Sequence, residues 1–410
     1  MTRQRTPHFR ARHAGLFTLA LLAGCASPPH AGRGGADMQQ QQSFGKGYLS
    51  EEEHSLRTTP VNWLAPVAEG GRSFDLIVSS PVRPGRYPVV LYLPGLGEAR
   101  TAGEAWRKAW AQAGYVVVSV QLLAEDGQAW QSTAARNGDF RTLVRERFSA
   151  AAMSSRQQTL QSFLGVLRQH ADDPLLANAD LGRIVLAGYD LGAYTALAGA
   201  GEKFRNGPPA AAVSNLVGVI ALSPYADFSG PTFDSRYAAI SVPVLSVTGP
   251  GDGDNYGVLA SASVRTAPFQ HMPSGGKYLL SLDDVSHEQL SGSPLRQPLE
   301  GEEDRGNRNG GRGDDNRGER SGRGDRSDRG GGEGGMGRGG MGGMGGSTGG
   351  RNTNSPNGPG GNGSGQSQAV IAAVTTAFLD ALVRQDDIAQ EWLRRDARRW
   401  LREAGSLTVR

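Results

Sequence analysis

With a single cysteine, Cys25, in 410 residues, the chain can close no disulfide on itself. Its folded part must be held by an apolar core, which a chain of this length can supply. A decisive charge is missing too: 43 Lys and Arg face 40 Asp and Glu, a formal net of +3. Residues 1–24 hold four of those arginines and no acid, so without them the balance is 39 to 40, or −1. The basic excess belongs to the leader, and no nucleic-acid partner is expected. Between residues 300 and 368 there is no aromatic residue and no Leu, Ile or Val. Such a stretch cannot bury enough apolar surface to offset its ordering entropy, which excludes a core there.

What the N-terminus does have is an address. Arg3, Arg5, Arg10 and Arg12 precede an apolar run at residues 15–23, too short for a permanent membrane-spanning helix. The run ends Leu22-Ala23-Gly24-Cys25, which resembles a bacterial lipobox. Small residues let the chain lie extended in a peptidase cleft, and the thiol accepts the lipid. Lipidation also accounts for a lone cysteine in an exported protein. Several acyl chains at about 0.8 kcal/mol per buried CH2 make a stable anchor. Ala26 rather than Asp follows, as in Gram-negative lipoproteins sent to the outer membrane. The expected location is the cell envelope, lipid-anchored through Cys25 and facing the periplasm.

Five segments follow from composition: a signal at 1–24, a flexible tether at 25–55, a globular domain at 56–299, a disordered Gly/Arg/Asp-rich insertion at 300–368, and a C-terminal helix completing the domain at 369–410. In the globular part short apolar runs alternate with longer amphipathic stretches, which predicts an α/β fold with a mainly parallel sheet flanked by helices. Strands are expected at 74–78, 89–93, 115–120, 183–187, 217–222, 244–248 and 278–282. Several are apolar on both faces, as buried parallel strands require. In the last segment Val370, Val374, Phe378 and Leu382, then Trp392, Leu393, Trp400 and Leu401, mark the apolar positions.

Chemistry concentrates where strands end. The strand at 183–187 runs into Gly188-Tyr189-Asp190-Leu191-Gly192 and then into small residues that open a helix. In a turn this tight the central residue is strained, and glycines are needed where side chains would clash. Asp190 is thereby thrust out at the carboxyl end of the sheet. The Leu191 amide is left free at a helix N-terminus, where it can bind an oxyanion. After the strand at 244–248 come Asp252 and Asp254, and after that at 278–282 comes His287. Asp252 is the expected orienting acid, with Asp254 as the alternative, and His287 the base. Leu96, in Pro94-Gly95-Leu96-Gly97, is the expected second oxyanion amide. This chemistry calls for no cofactor and no metal.

These motifs, with the stretches at 87–97, 114–119, 188–198, 242–249 and 277–280 and the closing segment at 376–393, resemble the predicted dienelactone hydrolases and platelet-activating-factor acetylhydrolase-like esterases. The resemblance implies an α/β-hydrolase fold, a serine-esterase scaffold with the glycine-rich segment inserted before the last helix. Two positions depart from it: Asp190 stands where Ser or Cys is usual, and Pro94 where His is frequent. A carboxylate is a poor nucleophile toward an ester, because the tetrahedral adduct expels it again. Carboxylates do attack alkyl carbon, as in the haloalkane dehalogenases and epoxide hydrolases of this fold. Those proteins carry a cap domain, for which residues 223–241 are too few, and the dehalogenases a Trp where Leu191 stands. Hydrolysis of a small ester-like or lactone substrate, binding without turnover, and chemistry at alkyl carbon all remain open. One carboxylate about 5 Å from His287, at an effective dielectric of about 20, favours imidazolium by roughly 3 kcal/mol. With Asp190 and Asp252 both near, His287 is expected to rest protonated.

Overall fold

The computed structural model describes residues 47–65, 71–204, 212–254, 256–259, 261–294 and 363–410. The leader, Cys25, the tether up to residue 46 and the insertion up to residue 362 lie outside the described residues.

Nine strands form one mixed, mostly parallel sheet: β1 Leu56–Leu64, β2 Ser73–Pro81, β3 Tyr87–Leu93, β4 Val116–Val120, β5 Ala179–Tyr189, β6 Leu216–Leu222, β7 Val244–Thr248, β8 Lys277–Leu282 and β9 Gly405–Val409. Their order is β1-β2-β4-β3-β5-β6-β7-β8-β9. The block from β4 to β8 is parallel, while β1, β2 and β9 pair antiparallel at the margins. All seven expected strands are present. β1 and β9 were not read from the sequence, and both are edges. Pro60 sits within β1, where an edge tolerates the missing donor, and the strand is exposed or half-buried except at Trp63.

Alternation along the central strands sends side chains to two helical layers. Val89, Leu91 and Leu93 share a core with Leu160 and Phe163 of α2 (Ala150–Gln169) and with Ala193 and Ala196 of α3 (Leu191–Gly199). Tyr92, on the other face, places its ring 6.2 Å from Trp110 of α1 (Glu104–Gln112). Trp110 in turn donates from Nε1 to Thr375 Oγ1 at 3.0 Å, in α4 (Gly363–Val383). By length and composition α4 could cross a membrane, but most of it is buried against the domain. Helices on both faces of a mostly parallel sheet make this an α/β protein.

Three boundaries differ from the sequence reading. Residues 47–55 are not free tether: Tyr48 is buried, and its hydroxyl donates to Asp380 Oδ2 at 2.8 Å. The last helix starts at Gly363 rather than residue 369, so the end of the expected disordered insertion is helical. Ser367 Oγ there donates to the Asp284 carbonyl at 3.0 Å. Nor is 369–410 one helix. It breaks after Val383, resumes at Asp387, which Asp386 caps through the amides of Ile388 and Ala389, and ends in β9. That strand docks because β8 would otherwise leave its outer edge unpaired.

Candidate active site

β5 ends at Tyr189 and α3 begins at Leu191, so one residue makes the whole turn. That residue, Asp190, has φ 51° and ψ −111°, a conformation a non-glycine residue seldom holds. Its flanks explain why the turn survives. A Cβ on Gly188 would lie 2.3 Å from the Gly192 carbonyl carbon, and one on Gly192 would lie 1.8 Å from the Leu93 oxygen. Glycine at both positions lets β3, β5 and α3 close on one another, and the aspartate is pushed out.

Asp252 and His287 meet it there. Asp252, fully buried after β7, accepts from Thr248 Oγ1 at 2.7 Å and from Ser223 Oγ at 2.8 Å. Arg265 Nε lies 3.2 Å from its Oδ1 and also donates to its backbone oxygen at 3.0 Å. His287 Nδ1 is 2.8 Å from the same Oδ1, which fixes the Nδ1–H tautomer and turns Nε2 outward. Nε2 lies 3.9 Å from Asp190 Oδ1, an ion-pair distance too long for a direct hydrogen bond. Asp254 plays another part. Its carboxylate accepts from the amides of Tyr256, Val258 and Leu259, so it holds its own loop and does not reach His287.

The electrostatics follow from the packing. Burial works to lower the His287 pKa, but the Asp252 hydrogen bond and the Asp190 charge outweigh it and the net shift is upward. Asp252 is held below the usual carboxylate range: burial opposes this, and the His287 hydrogen bond and the Arg265 charge prevail. The expected imidazolium is thus favoured from both sides.

Leu191 and Leu96 sit at the edges of this centre. The Leu191 amide opens α3 and the Leu96 amide lies in the turn after β3; neither has a hydrogen-bond partner among the described residues. In that same turn stands Glu98, missed in the sequence reading. Glu98 Oε2 accepts from the Gly95 amide at 2.9 Å and Oε1 from Ser293 Oγ at 3.0 Å. Burial, with the Asp190 charge adding, raises its pKa. Ser223 and Arg265 were missed as well. Ser223 follows β6 directly, with φ 54°, and its Oγ lies 2.9 Å from His287 Nδ1. Its place after a strand was the one available signal; Arg265 had none.

Asp190, His287, Leu96 and Glu98 line a cavity of about 720 Å3. Among the described residues no group of three or more His, Cys, Asp and Glu side chains is placed to hold a metal ion. Among known proteins, no family model and no curated sequence matches the chain.

Proposed function

We propose that the domain is an α/β-hydrolase-fold hydrolase of esters or lactones in which Asp190 and His287 work as a base–acid pair on water. The observation that carries this is the 3.9 Å gap between Asp190 Oδ1 and His287 Nε2, which one water oxygen can bridge. Asp190 takes a proton as that water attacks the acyl carbon. The oxyanion lies against the Leu96 and Leu191 amides. On collapse His287 gives its Nε2 proton to the leaving alkoxide, and a proton moving from Asp190 back to His287 through solvent resets the pair. A raised His287 pKa suits an acid, so the replacement of a nucleophile by a carboxylate reverses the histidine's role rather than idling it. Residues 223–243 join β6 to β7 with one short helix, Phe233–Tyr237, which supports a reading without a cap domain.

A second reading has its own support. No donor hydrogen-bonds the Asp190 carboxylate among the described residues, which leaves it bare enough to attack an alkyl carbon. The two separate in assay. Short-chain p-nitrophenyl esters and lactones should be hydrolysed by wild type and not by Asp190→Asn; haloalkanes and epoxides should be inert. Turnover of those alkyl substrates would favour the second reading, and no turnover of any substrate a binding role.

The same proposal places the protein in the bacterial envelope, anchored through lipid on Cys25 and facing the periplasm from the outer membrane. A fatty-acid probe should label wild type and not Cys25→Ala; equal labelling of both removes the anchor.

A further inference from the structure

The cavity beside Asp190 has a lining that is unbalanced in charge. Among the described residues the acids Glu98, Glu104, Asp190, Asp254 and Glu288 line it, against the two bases Arg265 and His287, although the Asp254 carboxylate is taken by loop amides and Glu288 has a contact of its own. No described lysine lines it. Neither base is spare. Arg265 is buried on Asp252, an acid behind the wall, and His287 lies between Asp252 and Asp190. The described lining thus holds more acids than bases, which makes its field negative.

The wall also carries five aromatic side chains, Trp130, Phe148, Tyr189, Tyr225 and Tyr256, among aliphatic and small residues. Trp130 and Tyr256 stack with centroids 5.4 Å apart, forming an aromatic slab. Phe148 and Tyr225 pack 4.4 Å apart. Ring faces carry negative potential and attract cations. Among the described residues the arginine–ring contacts fall on Tyr194, Tyr237, Tyr115 and Phe269; in this cavity no arginine covers a ring, and the His287 ring lies 5.1 Å from that of Tyr189. The cavity therefore brings acids together with rings that no described arginine covers, in about 720 Å3.

We infer that the cavity selects an organic ammonium: a ligand with one cationic nitrogen on an apolar or aromatic body. Resting on the reading of Asp190 as the reactive centre, this makes the substrate an ester or lactone whose organic part carries an amine. The apolar body lies on the Trp130–Tyr256 slab. The ammonium is held by the carboxylates, where it also relieves the repulsion between Glu98 and Asp190. An anionic substrate meets the same field as a barrier.

Three probes of one shape test this: 2-phenylethylammonium, 2-phenylethanol and phenylacetate, titrated into the whole protein by calorimetry at low and moderate salt. The ammonium should bind about ten-fold or more tightly than the alcohol, and phenylacetate most weakly. Added salt should narrow the gap. Glu104→Gln, at the rim and outside the reacting centre, should weaken the ammonium alone by about two- to three-fold. Asp190→Asn should bring it within about three-fold of the alcohol. Equal affinities, a preference for phenylacetate, or no binding by any of the three overturns the inference. Because binding is read on wild type without turnover, this outcome is separate from the ester assay. An active esterase with no ammonium preference loses only the substrate class, and an inactive protein that prefers the ammonium loses only the reaction.

Discussion

Two carboxylates in this molecule are treated in opposite ways, and the contrast separates what folds the chain from what we propose it does. Asp380, in the last turn of α4, is 1% exposed and fully engaged. Tyr48 donates to its Oδ2 at 2.8 Å, Tyr115 to its Oδ1 at 2.7 Å, and Arg384 lies 3.4 Å from Oδ1. Asp190 has no such donors among the described residues, sits in a strained backbone conformation and faces a cavity. A buried charge with every partner present is a structural joint, tying the N-terminal approach to α4 and β4. A carboxylate held out without partners costs stability, and such a cost persists where it serves a site.

The contrast is broken most severely at Asp380. Asp380→Ala strands two tyrosine hydroxyls and the Arg384 guanidinium, and removal of one member of a buried ionic set costs about 3–5 kcal/mol. For a domain of this size that corresponds to a fall in Tm of about 6–15 °C, read by circular dichroism. A shift below about 2 °C would show that the network is ornamental. Activity per folded molecule at low temperature should survive, since Asp380 touches nothing in the site.

At the other carboxylate the effect is on chemistry and on its pH dependence. On the proposed reading His287 works as an acid, so hydrolysis should fall as pH rises through the raised His287 pKa, above the ordinary 6.5. Asp190→Ser removes the charge that helps hold that pKa up and supplies a hydroxyl nucleophile. His287 must then act as a base, and activity should rise with pH through a lower midpoint. The limbs of the two profiles run in opposite directions. Stability follows the same sign. The charged His287 stabilises the fold fully below pH 6.5, and that contribution is lost as pH rises through its folded pKa, less steeply in Asp190→Asn. Profiles of the same slope in wild type and Asp190→Ser would remove the acid role from His287.

The sequence carried the parts of this contrast that depend on local pattern. β3 to β8 read as strands because apolar, often β-branched runs are needed on both faces of a buried parallel strand, and Asp190, Asp252 and His287 each follow a strand end directly. Asp252 could not be told from Asp254 by pattern. The choice turns on the loop at 252–259 folding back so that three amides take Asp254. The burial of Tyr48 was illegible because its partner lies 332 residues away. Glu98 looked like an ordinary loop acid, since its role depends on Gly95 and Ser293 meeting it from separate segments. β9 is five residues long and takes its order from the open edge of β8, not from its own composition.

The smallest expected effect concerns the strain itself. At φ 51° and ψ −111°, Asp190 holds a conformation that costs a residue with a Cβ about 1–3 kcal/mol. Glycine adopts such geometry without that clash, though it loses more backbone freedom on folding, about 0.5–1 kcal/mol. Asp190→Gly also removes a carboxylate that no donor satisfies, and with it the attraction to His287. Relief of the strain and of the unsatisfied carboxylate opposes the lost backbone freedom and the lost attraction, and the net should be a modest stabilisation of about 1 kcal/mol, or roughly 2–4 °C in Tm. The gain should be larger above the raised His287 pKa, where the imidazole is neutral and the lost attraction no longer counts. Hydrolysis should disappear in the same variant. A protein that becomes more stable as it loses activity would identify the turn as strain kept for function. A clear loss of stability from Asp190→Gly would mean that Asp190 holds the fold as Asp380 does, and that the two carboxylates are not opposites after all.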